Sequence, residues 1–324
     1  MRLLWTTRHY RPRMAGSEFY TEGVAVELAS RGHEVHILTS TPNGARRIDG
    51  DRGVKIWRRR SMRDFAAVCR EVKPQVVLTQ YEWAAQTLQQ APCPACVVMH
   101  NAWSPATISA PVRPSAALWI ANSPVTLAAS RHHIGDLPAC VLVPPLDVER
   151  IEVQGIPGVH TCQDAVGIAN PIADKGADLF MDVVRAMPSE MFIAQLGGYG
   201  IRVPMRERNL DEWTPGPIHE LFARLRVLLM PSLHESWGMA AVEAQWNGIP
   251  VIASDLPSLR ESLGDGAVFL PHDAARWVKE IARLFDDQER FDDLAGRAIM
   301  NADRVAALHE AQLDELVERL EAIA

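Results

Sequence analysis

Residues 227–254 read VLLMPSLHESWGMAAVEAQWNGIPVIAS, in which two short apolar runs flank a polar turn and a helical stretch. The run 227–230 is predicted to be a buried strand that ends at Pro231. A helix is predicted over 238–247 and a second strand over 251–253. The order strand, turn, helix, strand is typical of a βαβ unit, so these residues indicate a parallel α/β sheet.

The same alternation runs through the rest of the chain. Further strands are predicted over 3–5, 35–38, 54–57, 76–78, 97–99, 118–120, 141–143, 165–169, 191–196 and 268–270, and further helices over 17–30, 176–187, 258–263, 274–285, 289–300 and 302–323. Proline and glycine punctuate residues 144–158, which indicates a domain boundary there. We predict two doubly wound, Rossmann-like α/β domains, 1–147 and 148–301, with helix 302–324 completing the first. Ligands bind at the carboxyl ends of strands in such sheets, so we expect the two domains to face each other across a cleft.

The composition excludes several classes of protein. Of the 324 residues, 48% are hydrophobic and 23% are charged, which is ordinary for a soluble globular protein. The first apolar run is too short for a signal peptide, and no run approaches the ~18 residues of a membrane span. The five cysteines cannot all pair, and a chain of this length needs no disulfides. We therefore predict a cytoplasmic protein and exclude disordered, collagen-like, coiled-coil and membrane-spanning chains.

The net charge of −7 is unevenly distributed. Residues 1–147 hold 17 basic and 11 acidic side chains, whereas residues 148–324 hold 16 basic and 29 acidic side chains. The local peak of positive charge is Arg58–Arg60 followed by Arg63. A run of like charges is usually a solvated face, but such asymmetry between halves is also typical of a protein with an anionic partner.

Two acidic residues flank the start of the helix predicted over 238–247. Glu235 lies in the turn before it, and Glu243 lies one to two turns inside it. The free amides of Gly238 and Met239 at a helix N-terminus suit a phosphate group, since unpaired N–H groups and the helix dipole both favour negative charge. A carboxylate accepts paired hydrogen bonds from adjacent sugar hydroxyls. Taken alone, two glutamates eight residues apart are weak evidence, because both also fit an ordinary helix start.

Further candidates follow other predicted strands. Asn170 and Lys175 lie in a turn between a strand and a helix, where the Lys175 ammonium is placed to reach a diphosphate. Gly16 opens the helix predicted over 17–30, and His100 ends the strand over 97–99. Each residue also has a purely structural interpretation. Lys175 fits an exposed surface lysine, Gly16 an ordinary helix start, and His100 a histidine packed in the core.

Together these residues resemble the retaining GT-B glycosyltransferases of the family four group. The resemblance rests on Glu235 and Glu243 separated by seven residues and on the segment 244–254 that follows. Supporting matches are 16–18, 31–35, His100, Lys175-Gly176, Gly197-Gly198 and Pro231-Ser232.

The resemblance implies a GT-B fold and roles for individual residues. Glu243 would bind the nucleotide ribose, Lys175 the diphosphate and Glu235 the donor sugar. His100 would line the sugar pocket and act with Lys175 and Glu235 in catalysis. The remaining donor-binding residues implied are Gly16, Asn170, Gly198, Ser236, Trp237, Gly238 and Met239.

Two positions depart from the family pattern. Asn170 stands where members usually carry an arginine five residues before the lysine, and Asn101 stands where an aspartate usually follows the histidine. One cation of the diphosphate site is therefore missing or supplied from elsewhere. The segment 206–217 is short, and it often shapes the base pocket in the family, so the base is not predicted.

Three other motifs receive plainer interpretations. Asp49-Gly50-Asp51 resembles a metal-binding carboxylate motif but is predicted to be a turn. Cys93 and Cys96 form a CxxC without a second pair at matching spacing, so we predict a buried strand residue at Cys96 and no metal site. Gly198-Tyr199-Gly200 lacks the third glycine of a dinucleotide fingerprint, because position 203 is Val203, which disfavours an oxidoreductase.

The predicted function is a metal-independent, retaining transfer of a sugar from a nucleotide-diphosphate sugar to a hydroxyl acceptor, with no cofactor and no obligate protein partner. Arg8, Arg11 and Arg13 precede Gly16 and are predicted to bind the acceptor. Their charge points to an anionic acceptor, either a membrane lipid or lipid-linked glycan at the membrane surface, or DNA with a hydroxylated base. A neutral small-molecule acceptor and a non-catalytic sugar-nucleotide binder remain as alternatives.

Overall fold

The computed structural model describes residues 1–43, 48–153, 164–197, 206–213 and 216–324. These residues form two compact units. Unit 1 comprises Met1–Pro145 and Leu308–Ala324, and unit 2 comprises Leu146–Ala307. Each unit is built on its own largely parallel sheet, so the prediction of two Rossmann-like α/β domains is confirmed. No helix in the described ranges is both long and apolar enough to cross a membrane.

The described residues of unit 1 form eight strands in the order β3-β4-β2-β1-β5-β6-β7-β8, all parallel except the β3–β4 pair. Its strands are β1 (Arg2–Thr7), β2 (Glu34–Thr39), β3 (Ile48–Asp51), β4 (Val54–Arg58), β5 (Val76–Gln80), β6 (Ala95–Met99), β7 (Leu118–Ala121) and β8 (Ala139–Val141). Its helices before the boundary are α1 (Gly16–Ser30), α2 (Phe65–Val72), α3 (Ala84–Gln90) and α4 (Pro124–Ile134).

The central strands of unit 1 are buried on both faces. In β1, Leu3 and Trp5 pack into one apolar cluster, whereas Leu4, between them, packs into a second cluster on the opposite face. Successive side chains of a strand point to opposite faces, so a strand covered on both sides must be apolar throughout. For this reason, short continuous apolar runs in the sequence predict the positions of these strands.

In unit 2, the part of the chain that the structure describes forms six parallel strands in the order β11-β10-β9-β12-β13-β14. Its strands are β9 (Ala165–Ala169), β10 (Phe192–Gln195), β11 (Leu210–Trp213), β12 (Leu225–Met230), β13 (Val251–Ser254) and β14 (Ala267–Leu270). Its helices are α5 (Val148–Ile151), α6 (Ala177–Ala186), α7 (Ile218–Phe222), α8 (Met239–Trp246), α9 (Pro257–Leu263), α10 (Ala274–Asp286) and the first part of α11 (Gln288–Ile323).

One long helix replaces the two that were predicted over 289–300 and 302–323. Helix α11 runs without interruption from Gln288 to Ile323. The predicted break was at Asn301, whose side chain is buried and donates to Ser262 O at 2.8 Å and to Gln245 Oε1. Because these tertiary partners satisfy the amide, Asn301 does not compete for the helix backbone, and the helix continues.

Residues 49–51 form a strand, and their prediction as a turn was wrong. Asp49 lies in β3, which pairs antiparallel with β4, and the turn is the next two residues, Arg52 and Gly53. Asp49 accepts from the buried Arg58 guanidinium, with Nη2 3.0 Å from Oδ2 and Nε 3.1 Å from Oδ1. The hairpin is therefore fixed by an ion pair that crosses its two strands.

One strand lies at a different position from the one predicted, and another strand was not predicted. Strand β8 covers Ala139–Val141, two residues earlier than the predicted 141–143. Strand β11, whose sequence is LDEW, is an edge strand of the second sheet and was not predicted. Half of its residues are acidic, so it lacks the apolar run that marks a strand buried on both faces.

Candidate functional site in unit 2

The candidate site lies at the carboxyl ends of two neighbouring strands. Strands β9 and β12 pair in parallel, so the turns that follow Ala169 and Met230 leave the sheet at the same edge. Asn170 begins the first turn with φ of +54°, and Pro231 begins the second. Sheet order thereby brings together two segments that are about sixty residues apart in sequence.

Close packing joins the two turns. Leu233 N donates to Asp174 O at 3.0 Å. Gly176 has φ of +73°, and a Cβ atom there would lie 1.9 Å from Pro231 O. A side chain at position 176 is therefore excluded both by backbone conformation and by the neighbouring turn. The glycine after Lys175 allows the two turns to approach each other.

Lys175 and Glu235 form an ion pair across these turns. The Lys175 ammonium contacts Glu235 Oε2, and the two side chains are 28% and 11% exposed. Glu235 Oε1 accepts from Ser236 N at 3.1 Å, and Glu235 O accepts from Ser258 Oγ at 2.7 Å. The carboxylate is thus held on both sides, and the lysine head remains partly accessible to solvent.

Helix α8 begins beside this ion pair. Gly238 precedes its first residue with φ of +86°, and an added Cβ would lie 2.6 Å from Leu259 Cδ2 and 3.7 Å from Glu235 Cγ. The Trp237 side chain is buried and Met239 is half-buried. The first amides of a helix have no acceptor within the helix, so this N-terminus is a favourable place for an anionic group.

Three buried polar atoms lie at the carboxyl ends of three adjacent strands. Asn170 Oδ1, Ser232 Oγ and Ser254 Oγ follow or end β9, β12 and β13, and none of them has a hydrogen-bond partner within the described part of the chain. Buried polar atoms in folded proteins are nearly always satisfied by protein, ordered water or ligand. Their concentration at one edge of the sheet is what a site for a polar ligand requires.

Glu243 is buried in α8 and contacts an arginine that the sequence did not indicate. Its residue exposure is 4%, and Oε1 accepts from Arg150 Nη2. Arg150 belongs to the single-turn helix α5, just after the unit boundary. No local pattern distinguishes Arg150 from a surface arginine, because the contact joins residues 93 positions apart.

His100 lies in unit 1, at the end of β6, inside a hydrogen-bonded network. Gln80 Nε2 donates to Thr7 Oγ1 at 2.9 Å, which leaves Gln80 Oε1 as an acceptor 2.9 Å from His100 Nε2. His100 Nε2 therefore carries the proton and donates. The ring stacks on Tyr81 at 5.2 Å between centroids and meets the Tyr20 ring edge-on at 5.0 Å.

Burial among these groups lowers the pKa of His100 to about 3. The charged imidazolium is poorly solvated there, so the neutral form is favoured. At neutral pH His100 is therefore an uncharged ring, able to hydrogen bond but not to supply a positive charge.

The arginines predicted to bind the acceptor lie between β1 and α1, and acidic neighbours occupy two of them. Arg8 Nη1 lies 3.3 Å from Glu82 Oε1, with both side chains about half exposed. Arg11 pairs with the buried Glu22, and its Nε lies 3.5 Å from Asp51 Oδ2. Arg13 is exposed.

Two glycines were predicted to bind the donor. Gly16 is exposed as the first residue of α1, and Gly198 lies outside the described residues.

Cys96 is fully buried in β6, as predicted. Within the described ranges, no group of three or more His, Cys, Asp or Glu side chains is placed to hold a metal ion.

Comparisons with known proteins agree with this architecture. Residues 14–150 match the family described as Glycosyltransferase Family 4, and residues 212–302 match the family described as Glycosyl transferases group 1. A D-inositol 3-phosphate glycosyltransferase of Nocardia farcinica is 31% identical over 101 residues, which is 30% of this chain and 22% of the relative. The matched segments span only 21–28% of the length of such curated relatives.

Solved structures share the fold over the whole chain. Sucrose-phosphate synthase from Thermosynechococcus elongatus has a TM-score of 0.78 at 16% identity and covers 100% of both chains. HepE of Anabaena in complex with UDP-glucose has a TM-score of 0.76 at 17% identity and covers 98% of this chain and 99% of its own. In order along the chain, a segment similar to Glycosyltransferase Family 4 therefore precedes a segment similar to Glycosyl transferases group 1, and the fold is that of the GT-B glycosyltransferases.

Proposed function

We propose that the protein is a retaining glycosyltransferase that moves a sugar from a nucleotide-diphosphate sugar to a hydroxyl acceptor. The observation that carries the proposal is the edge of the second sheet. There, Lys175, Glu235 and the start of α8 lie together beside buried polar atoms that have no protein partner among the described residues. A diphosphate needs cations and amides, and a sugar needs acceptors, so this combination suits a sugar nucleotide.

In this proposal the Lys175 ammonium exchanges one anion for another when the donor binds. Glu235 holds it in the free protein, and the donor diphosphate competes for it in the complex. The bond between the anomeric carbon and the diphosphate oxygen then breaks, and the acceptor oxygen bonds to that carbon from the same face. The departing diphosphate takes the acceptor proton. Lys175 and the α8 amides stabilise the negative charge that develops on the leaving group.

The proposed acceptor is a small hydroxyl compound that carries few negative charges. Unit 1 is less basic than residues 1–147 suggested, because residues 308–324 contribute one basic and five acidic side chains. Arg58, at the peak of the basic run, is buried against Asp49 and donates to two backbone carbonyls. A membrane lipid or DNA therefore receives less support than a polyol or polyol phosphate. The name of the Nocardia farcinica relative, which contains D-inositol 3-phosphate, agrees with this class.

The test is an assay of nucleoside diphosphate release. UDP-glucose is the first donor, because the similar HepE structure contains it, followed by other UDP-, GDP- and ADP-sugars. Acceptors are screened as a mixture that includes inositol phosphates, with products identified by mass spectrometry and anomeric configuration by NMR. Parallel reactions with EDTA test the expected independence from metal, and Lys175→Ala is the control in which turnover should fall.

We expect donor-dependent release of nucleoside diphosphate and a product with the donor's anomeric configuration. Tight donor binding with no transfer to any acceptor would instead establish a non-catalytic sugar-nucleotide binder. An inverted product would refute the retaining mechanism.

A further inference from the structure

The contact between Arg150 and Glu243 joins the short helix α5 to helix α8, outside both sheets. Glu243 projects from α8 and is 4% exposed, and the Arg150 side chain is 17% exposed. Removing a carboxylate from water costs several kcal/mol unless a charged partner and hydrogen bonds replace the water. The Arg150 guanidinium is that charged partner, and it contacts the Glu243 carboxylate directly.

The backbone that carries Arg150 is fastened to the end of α8. The buried side chain of Asn247 donates to Ile151 O at 3.0 Å and to Glu243 O at 2.9 Å, and its Oδ1 accepts from Val153 N at 3.0 Å. His219 Nδ1 donates to Arg150 O at 3.2 Å. Helix α5 is a single turn and is not stable alone, so these bonds determine where Arg150 lies relative to Glu243.

The contact with Arg150 leaves acceptor positions of the Glu243 carboxylate available for a ligand. Arg150 contacts Oε1, whereas a carboxylate offers about four acceptor positions on its two oxygens. Because Arg150 binds one carboxylate oxygen of Glu243, it restricts rotation of the carboxylate and leaves lone pairs on the other oxygen as acceptors. Two adjacent ribose hydroxyls need an acceptor of that kind, with its orientation set in advance, because orienting it during binding costs affinity.

We propose that Arg150 is a positioning residue that holds the Glu243 carboxylate oriented to receive the ribose hydroxyls of the donor nucleotide. The inference rests on the proposed function and on the ribose-binding role that the family resemblance implies for Glu243. It adds a residue from the segment after the unit boundary to the donor site. It also predicts the sign of the effect: Arg150 assists nucleotide binding and does not block it.

The test compares ribonucleotides with their deoxy counterparts. Binding of UDP, GDP and ADP, and of the 2′-deoxy form of each, is measured by calorimetry for the natural protein, Arg150→Ala, Arg150→Lys, Glu243→Ala and the double variant of positions 150 and 243. The matched control is Arg290→Ala, which breaks a similar pair between an arginine and the buried Glu280 elsewhere in unit 2. Circular dichroism and thermal melts establish that each variant is folded.

We expect Arg150→Ala to weaken binding of the preferred ribonucleotide by about tenfold or more, corresponding to about 1.4 kcal/mol. Its 2′-deoxy counterpart should be affected much less. Arg150→Lys should restore part of the loss, the alanine substitution should cost little further affinity in the Glu243→Ala background, and Arg290→Ala should bind normally.

Three outcomes would overturn the inference. An equal loss for ribo- and deoxyribonucleotides would reduce Arg150 to a structural role, and tighter binding by Arg150→Ala would make it a blocking residue. Full additivity of the two alanine substitutions would show that Arg150 does not act through Glu243. If the natural protein binds no nucleotide at all, the proposed function fails first, and this inference fails with it.

Discussion

Lys175 and Glu235 neutralise each other in the free protein, and their proposed roles separate once a donor binds. Lys175→Ala removes the cation that we propose binds the diphosphate, so binding of free nucleoside diphosphate should weaken by about tenfold and turnover should fall further. Glu235→Ala also frees Lys175, so affinity for free nucleoside diphosphate should stay the same or rise, whereas affinity for the intact sugar donor should fall. Calorimetry with both ligands measures each effect. Equal losses of nucleoside diphosphate affinity in the two variants would contradict this division of roles.

His100 should make the stability of the protein depend on pH. Its pKa is about 3 in the folded state and 6.5 when unperturbed, so between these values the unfolded chain binds the extra proton. The free energy of unfolding therefore decreases as pH falls through this window. For one proton, the decrease approaches about 1.4 kcal/mol per pH unit. His100→Gln removes this group and should show a shallower decrease.

Urea unfolding of the natural protein and of His100→Gln at pH 7, 6 and 5 measures the difference. Because both proteins share every other titrating group, the difference between their slopes isolates His100. If the free energy of unfolding changes with pH equally in both proteins, His100 binds its proton as readily in the folded state as in the unfolded chain. That result would contradict the lowered pKa.

At the scale of elements, the last part of α11 supplies one side of the unit 1 core. Leu313, Leu316 and Leu320 are fully or almost fully buried there, at the helical spacing of three and four residues. His309 adds a polar link, with Nε2 2.6 Å from Glu27 Oε2 and Nδ1 2.6 Å from Val143 O. The helix end is therefore part of the domain and not an appended tail.

Leu316→Ala should destabilise the protein by about 2–5 kcal/mol, because it removes buried apolar atoms and leaves a cavity. Glu318→Ala, two residues away on the exposed face, is the control and should change stability by less than about 0.5 kcal/mol. Denaturant midpoints measure both. A small effect for Leu316→Ala would mean that the last part of α11 contributes little to the stability of unit 1.

At the scale of the whole molecule, the charge of unit 1 bears on the acceptor. Residues 1–145 hold 17 basic and 10 acidic side chains, and with residues 308–324 the unit has a formal charge of +3. Arg31 shows how this neutralisation occurs, since it pairs with Glu310 and Asp314 of α11. The charge asymmetry along the sequence is therefore larger than the asymmetry between the folded units.

We accordingly expect weak binding to polyanions. Titrations against duplex DNA and anionic vesicles over a range of salt should give a decrease in log K of no more than ~2 per decade of salt, equivalent to about two neutralised phosphates. A steeper dependence with high affinity at low salt would restore the anionic macromolecular or lipid acceptor that the arginine-rich segment suggested.

The local sequence determined the strands that are buried on both faces, and it placed Lys175 and Glu235 in the turns after two of them and Glu243 in the helix that follows. A strand buried on both faces must be continuously apolar, and the turn that follows it has recognisable proline, glycine and polar residues, so both signals lie within ten residues. Tertiary structure alone decided which side chains meet. The pairing of Lys175 with Glu235 requires β9 to lie beside β12, and the contact between Arg150 and Glu243 requires Asn247 to fasten α5 to α8. Such contacts join residues 60 and 93 positions apart, where no local periodicity carries information, and they follow only from the order of the strands and the packing of the chain around them.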